Sequence, residues 1–461
     1  MKYVSTRGLS EPRSFREAVI EGLARDGGLL VPENVPDFSN QLEELKDLSY
    51  QDLALQIFLP FVDGEIDEDT LKRLIVKSYQ TFRHHDITPL QVKDSVSILE
   101  LFHGPTLAFK DIALQFLGNL FEYLLDGSST GLNIVGATSG DTGSAAIHGI
   151  RGKKGITIFM LHPKGKVSPI QEKQMTTVLD ENVVNIAIEG TFDDAQRIVK
   201  DLFNDLEYKD QHSLGAVNSI NWVRVMAQIV YYFYAAFRLQ EYYPDQPLVF
   251  SVPTGNFGDI FAGYLARKMG LPIEKLILAT NENDILYRVM TTGQYKIQQV
   301  HSTISPSMDI QISSNFERFL YDVVGKDAEE IRSMMGDLTS KREFEISDQQ
   351  LDDARNIFHP ARINAEQTLA TIAKYHKEGY TMDPHTAVGV AAAEQSPFSH
   401  VICLATAHPA KFGEAVIKAT GDEPEIPALL KGILTKQSRC QVSRQDVNEI
   451  KGIIDSKLSS L

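Results

Sequence analysis

Apolar residues in this chain come in short runs separated by amphipathic stretches. Runs of five or six residues fall at 97–102, 133–137, 156–161, 183–188, 213–217, 247–252, 275–280 and 400–405, a length that suits buried strands. Most are followed by apolar positions at helical spacing, as in Ile112, Ala113, Phe116, Leu117, Leu120 and Leu124. Such alternation predicts an α/β fold with mainly parallel sheets and helices on both faces, because a parallel connection needs a crossover. Thr191-Phe192-Asp193-Asp194 opens a further helix with a capping-box-like start, and Ile198, Val199, Leu202 and Phe203 continue its buried face. The stripe from Trp222 to Leu239 reads as a central core helix whose aromatics serve packing. Residues 1–95 lack the alternation and predict a mostly helical N-terminal domain, followed by α/β lobes over 96–240 and 241–461. Between 290 and 380 apolar runs are sparse and charges are dense from Lys326 to Glu345, which predicts lids and insertions.

Composition narrows the function. With 461 residues, 43% hydrophobic and 23% charged, the chain is long enough for two or three domains. Lys plus Arg number 45 against 61 Asp plus Glu, a net charge of −16 with no basic tract, which argues against nucleic acid and anionic membranes as partners. An anionic small molecule must then be met by local positive charge. Cys403 lies inside the apolar run at 401–405 and is expected to be a buried core thiol. The twelve histidines show no metal-ligand spacing, so no metal is expected. His84 and His85 are adjacent and would point apart on a helix or strand. No apolar run approaches membrane-spanning length and the first eight residues carry no apolar core, so a cytoplasmic location is expected.

Three glycine-marked turns carry candidate chemistry. The run ending in Val252 stops at Pro253, and Ile260, Phe261, Tyr264 and Leu265 then fall at helical spacing, so Gly255, Asn256, Phe257 and Gly258 sit at a strand-to-helix corner. The first N–H groups of a helix have no internal partner and carry the positive end of its dipole, which suits a phosphate. Gly255 and Gly258 permit close approach, and Asn256 is expected to tolerate the left-handed conformation of the cup. Lys110 heads another helix beside Leu107, Ala108 and Phe109, a setting that lowers an amine from its ordinary value near 10.4. Thr138-Ser139-Gly140-Asp141-Thr142-Gly143 follows the 133–137 run and opens a helix over 144–150, with hydroxyls and N–H groups suited to a carboxylate. Read singly, each corner is also an ordinary turn or cap. Together, an amine for an aldehyde and a nest for a phosphate are what pyridoxal 5'-phosphate requires.

Five motifs then occur in order: His-Gly-Pro-Thr-Leu-Ala-Phe-Lys-Asp at 103–111, Ala-Thr-Ser-Gly-Asp-Thr-Gly at 137–143, Asn-Ser-Ile-Asn-Trp at 218–222, Pro-Thr-Gly-Asn-Phe-Gly-Asp at 253–259 and Ala-Thr-Ala-His-Pro-Ala-Lys-Phe at 405–412. With them the chain, from Tyr3 to about Thr420, resembles the threonine synthase family in its longer form, which has an additional N-terminal region. The resemblance implies two α/β lobes enclosing pyridoxal phosphate, with Lys110 as the catalytic, cofactor-bearing lysine and Gly255, Asn256, Phe257 and Gly258 as the phosphate cup. It implies that Thr406, also readable as a helix cap, meets the pyridine nitrogen, and that Thr138, Ser139, Asp141 and Thr142 grip the substrate carboxylate. Many related enzymes carry an asparagine facing the cofactor's phenolic oxygen where this chain has Asp141; a carboxylate there repels a phenolate unless one is protonated. Ser219, Asn221 and Arg224 fit a subsite for the substrate's phosphate, and fit equally a capping cluster with a surface arginine; Lys164, Lys166, Arg83 and Lys411 are rival cations.

The implied activity is that of a lyase converting O-phospho-L-homoserine and water into L-threonine and phosphate by β,γ-replacement. Rival readings are a related phospholyase that releases a 2-oxo acid, a serine or threonine dehydratase, and a non-catalytic cofactor-binding scaffold. The intact Lys110 argues against the last, since a scaffold has no need of a poised amine.

Overall fold

All eight apolar runs form strands, and they sort into two parallel sheets in a computed structural model that describes residues 1–93, 95–128 and 131–460. The first sheet runs in the order Phe358–Arg362, Ile273–Thr280, Leu248–Pro253, Val401–Ala405, Val96–Glu100 and Leu90–Gln91, parallel throughout except for the antiparallel edge at Leu90–Gln91. The second runs Gln441–Ser443, Val183–Ile188, Ile156–Pro163, Leu132–Ala137 and Leu214–Gly215, all parallel. Strands covered on both faces bury every position, which is why they read as unbroken apolar runs.

The chain divides into two compact units. Met1–Val19, Leu23–Ala113 and Ser219–Glu425 form the first, which holds the six-stranded sheet and the N-terminal helices Tyr50–Val62 and Glu68–Tyr79. Ile20–Gly22, Leu114–Asn218 and Ile426–Leu461 form the second, around the five-stranded sheet. In the first unit, helix Pro384–Gln395 packs Ala387, Val388 and Ala391 against Val249, Ile277 and Cys403, whose thiol is fully buried. The approach is close enough that a Cβ at Gly389 would lie 2.8 Å from the Cys403 sulfur, so glycine is required there. The long helix Trp222–Gln240 is buried almost all round. In the second unit Thr191 and Asp194 complete the expected capping box before helix Phe192–Asn204.

The 290–380 stretch departs from its reading as lids and insertions. It supplies the edge strand Phe358–Arg362, a short antiparallel pair at Gln294–Lys296 and Glu343–Glu345, and the helices Phe316–Val323, Ala328–Ser340, Asp348–Ile357 and Ala365–Lys377. An edge strand is only partly buried, so Phe358–Arg362 carries no apolar run to betray it. Among the described residues no helix is long and apolar enough to cross a membrane.

Candidate active site

Three neighbouring parallel strands of the first unit, Leu248–Pro253, Val401–Ala405 and Val96–Glu100, end at one edge of the sheet, and the chain leaves them as Gly255–Gly258, Thr406 and the 103–111 loop. This carboxyl edge, where helix N-termini gather, is where open parallel sheets bind ligands.

The lysine loop is zipped to the loop after the central strand. The N–H groups of Leu101 and Phe109 donate to the carbonyls of Ala405 and Thr406 at 3.0 and 2.8 Å, and that of His408 donates to Leu107 at 3.0 Å. Leu107 takes a left-handed φ of 64°, and helix Lys110–Leu124 starts three residues later. Asp111 locks the turn from beneath: wholly buried, it accepts the N–H and the hydroxyl of Thr106 at 2.7 Å each. Burial pushes its carboxyl up to about 6, against the pull of those hydrogen bonds and of the Lys411 charge. A Cβ at Gly104 would lie 2.4 Å from that of Asp111. Lys411 is itself buried and donates to the Thr106 carbonyl at 2.7 Å, so this rival cation props the loop. The Lys110 ammonium lies 4.5 Å from the centre of the Phe109 ring.

At the second corner the left-handed residue is Phe257, with φ 63°, and not Asn256. A phenylalanine bears this conformation because its ring is clamped among Phe316, Phe319 and Phe358, with centroids 5.1, 5.8 and 5.5 Å away. Burying such a ring offsets the roughly 1–2 kcal/mol cost of the backbone. Helix Gly258–Lys268 begins at the next residue. The corner is backed by the 305–315 segment: Ser313 Oγ donates to the Gly255 carbonyl at 2.7 Å and the Asn315 N–H to that of Asn256 at 3.0 Å. A Cβ at Gly255 would stand 3.0 Å from the Ser307 carbonyl oxygen, and one at Gly258 3.2 Å from Asn315 Nδ2. An amine at one helix start, a glycine-flanked nest at another and a hydroxyl between them fit pyridoxal phosphate.

That hydroxyl belongs to Thr406, which is 7% exposed and whose N–H donates to Thr386 Oγ1 at 3.1 Å. Asp259 is a member of the site that sequence reasoning passed over. Its Oδ1 accepts the hydroxyls of Tyr231 and Tyr232, while Oδ2 has no hydrogen-bond partner among the described residues. Burial pushes this carboxyl up to about 6, against the two hydroxyls and the charge of Lys110. The signal was present, an acid in the first turn of the helix that follows the glycine corner, but its tyrosine partners lay in a stripe that read as packing.

The substrate candidates separate. Ser219 Oγ lies 3.3 Å from Ser314 Oγ, which donates to Asn256 Oδ1 at 3.4 Å, so a hydroxyl chain reaches the cup. Asn221 is wholly buried: it caps helix Trp222–Gln240 by accepting the Val223 N–H at 3.1 Å and donates to the Val19 carbonyl at 2.9 Å. Arg224 is buried in the first turn and is not a surface residue; burial pulls its guanidinium down to about 10. Arg83 donates to the Phe102 carbonyl at 3.2 Å, and Lys164 pairs with Glu189 at the surface.

In the second unit, Thr138 Oγ1 accepts the N–H groups of Gly140 and Gly143 at 3.0 and 2.8 Å, so its hydroxyl shapes the turn. The helix begins at Asp141, three residues ahead of the expected Ser144, because Gly140 takes the cap position with φ 144°. Asp141 Oδ1 accepts Gln171 Nε2 at 2.7 Å; Ser139 is exposed and Thr142 half-buried. His84 and His85 do not point apart: they lie in a turn, where their rings stack 4.6 Å apart beside Asp86.

Three family models match the chain in order: "Threonine synthase N terminus" over residues 2–79, "Pyridoxal-phosphate dependent enzyme" over 88–346 and "Threonine synthase, C-terminal" over 386–454. A threonine synthase of Pseudomonas aeruginosa is 46% identical, over 98% of each chain. The pyridoxal-phosphate-bound crystal structure of threonine synthase from Brucella melitensis superposes with a TM-score of 0.95 at 47% identity, covering 99% of both chains. The crystal structure of threonine synthase from yeast gives a TM-score of 0.94 at 44% identity, covering 100% of this chain and 99% of that one. The chain thus belongs to the threonine synthase family, pyridoxal-phosphate-dependent lyases of threonine biosynthesis.

Proposed function

We propose that this enzyme converts O-phospho-L-homoserine and water into L-threonine and phosphate, with its cofactor held covalently by Lys110. The observation that carries the reading is the meeting of Lys110, the Gly255–Gly258 corner and Thr406 at the carboxyl ends of three adjacent strands. Bound there, pyridoxal phosphate supplies an electron sink for charge developing on the substrate. Backbone N–H groups of Gly255, Asn256, Phe257 and Gly258 hold the cofactor phosphate. Thr406 offers the ring nitrogen a neutral hydroxyl, omitting the ion-pair effect of about 1–3 pKa units that a carboxylate brings.

Released when the substrate's own amine takes its place, the Lys110 amine takes the proton from the substrate's α-carbon and moves protons at the β-carbon, with Asp259 balancing its charge. In the second unit Ser139, Thr142 and the start of helix Asp141–Ile150 form a site suited to a carboxylate, in which Thr138 shapes the turn and Gln171 holds Asp141 in place. Ser219 and Arg224 bind the substrate's phosphate, and Asn221 caps the helix that presents Arg224. Phosphate kept at this subsite after release lies near the β-carbon and positions water for addition there.

Turnover of O-phosphohomoserine in oxygen-18 water tests the reading. Threonine is expected in near one-to-one ratio with phosphate, with the label in its β-hydroxyl. A 2-oxo acid as main product indicates the phospholyase instead. Turnover of unphosphorylated serine or threonine, with phosphohomoserine inert, indicates the dehydratase.

A further inference from the structure

Two of the loops that meet at this edge of the sheet are joined by a buried carboxylate that the reaction does not use. Asp383 is fully buried at the start of helix Pro384–Gln395, and its two oxygens take four donors. Oδ2 accepts the N–H of His385 at 3.0 Å and its ring Nδ1 at 2.6 Å. Oδ1 accepts the N–H of Thr386 at 3.1 Å and also its hydroxyl. Capping alone needs only the two backbone bonds.

Both side chains pass the contact on. His385 Nε2 accepts the N–H of Ser307 at 3.1 Å, so the ring proton sits on Nδ1 and faces Asp383. The carbonyl of the same Ser307 walls the corner at Gly255, 3.0 Å from where a Cβ would stand. On the other branch the Thr386 hydroxyl, its proton given to Asp383, accepts the N–H of Thr406 at 3.1 Å. One carboxylate therefore reaches the wall of the phosphate cup and the residue proposed to meet the ring nitrogen. A planar ligand held at its phosphate and at its ring nitrogen needs those two contacts at a fixed separation. A buried carboxylate with four donors cannot shift without leaving a buried polar group unpaired.

We propose that Asp383 is a positioning residue that sets the spacing between the phosphate cup and the Thr406 hydroxyl, through His385 on one branch and Thr386 on the other. The inference rests on the reading of Gly255–Gly258 and Thr406 as cofactor contacts. Its test separates the branches with His385→Phe, Thr386→Val and the conservative Thr386→Ser, each shown folded by circular dichroism. The readouts are the dissociation constant for pyridoxal phosphate, by titration of protein stripped of it, and the absorption spectrum of the bound cofactor.

His385→Phe is expected to weaken binding about tenfold and leave the absorption maximum in place. Thr386→Val is expected to move the absorption bands with less than a threefold change in affinity, and Thr386→Ser to restore the parent spectrum. Asp383→Asn is expected to show both effects; if it does not fold, the single-branch variants still decide. Identical changes in His385→Phe and Thr386→Val, or parent behaviour in both, would overturn the proposal, as would a Thr386→Ser spectrum that stays with that of the valine variant. Borohydride reduction of the parent keeps the two levels apart. A parent that does not carry the cofactor on Lys110 sinks the reading of the site, whereas a labelled parent with indistinguishable branch variants sinks this inference alone.

Discussion

The carbonyl oxygen of Thr406 accepts the main-chain N–H of Phe109 at 2.8 Å, which ties the residue before Lys110 to the end of the central strand. The loop that bears Lys110 and the loop that bears Thr406 are thereby one construction. Helix Lys110–Leu124 can start only where this bond, the Leu107 turn and the buried Asp111 allow.

Gly255→Ala tests the cup. Its new Cβ would meet backbone on two sides, the Ser307 oxygen at 3.0 Å and the Met308 Cα at 3.3 Å, so the wall must move. Cofactor affinity is expected to fall about tenfold or more, equivalent to roughly 1.4 kcal/mol, by titration of protein stripped of cofactor. Gly336→Ala is the control: it lies in helix Ala328–Ser340 with nothing within 4 Å of the added carbon. It should leave affinity unchanged and add about 0.5–1 kcal/mol of stability.

Phe257→Gly tests the trade between ring and backbone. Removing a buried aromatic ring costs about 3–5 kcal/mol, and glycine recovers roughly 1–2 kcal/mol of left-handed strain. A net loss of about 1–4 kcal/mol is expected in denaturant unfolding. A variant as stable as the parent would mean that the aromatic clamp contributes no more than the roughly 1–2 kcal/mol of backbone strain that glycine relieves.

Much of the fold was legible because parallel strands buried on both faces leave continuous apolar runs, whereas the edge strands Phe358–Arg362 and Gln441–Ser443 do not. Lys110 and the cup glycines were legible because a glycine corner between strand and helix has a local pattern. The left-handed residue was assigned to Asn256 on intrinsic tolerance; what decides for Phe257 is a set of rings on Phe316, Phe319 and Phe358, too far along the chain to leave a spacing signal. Asp383, His385 and Thr386 went unseen for the same reason, since their partners Ser307 and Thr406 lie on other segments.

Asp259→Asn tests the buried acid through pH. The folded carboxyl keeps its proton up to about 6, whereas the unfolded chain loses it near the ordinary 3.8. The stability this contributes is complete below pH 3.8 and is lost as pH rises through 6, on the order of 2–4 kcal/mol. Asparagine has no such titration and its oxygen still accepts from Tyr231 and Tyr232. The melting temperature of the variant relative to the parent is therefore expected to climb between about pH 4 and 6 and level off above. A difference that stays constant across this range would contradict a raised Asp259.

The most direct measurement is chemical capture at the amine. Protein loaded with pyridoxal phosphate is reduced with borohydride, digested and mapped by mass spectrometry, with Lys110→Ala alongside. The expected result is a visible chromophore in the parent, a reduced cofactor on Lys110, and neither label nor threonine formation in the alanine variant. A label on Lys411 or Lys164, or no chromophore with cofactor in excess, would contradict the assignment of Lys110 as the cofactor-bearing, catalytic amine.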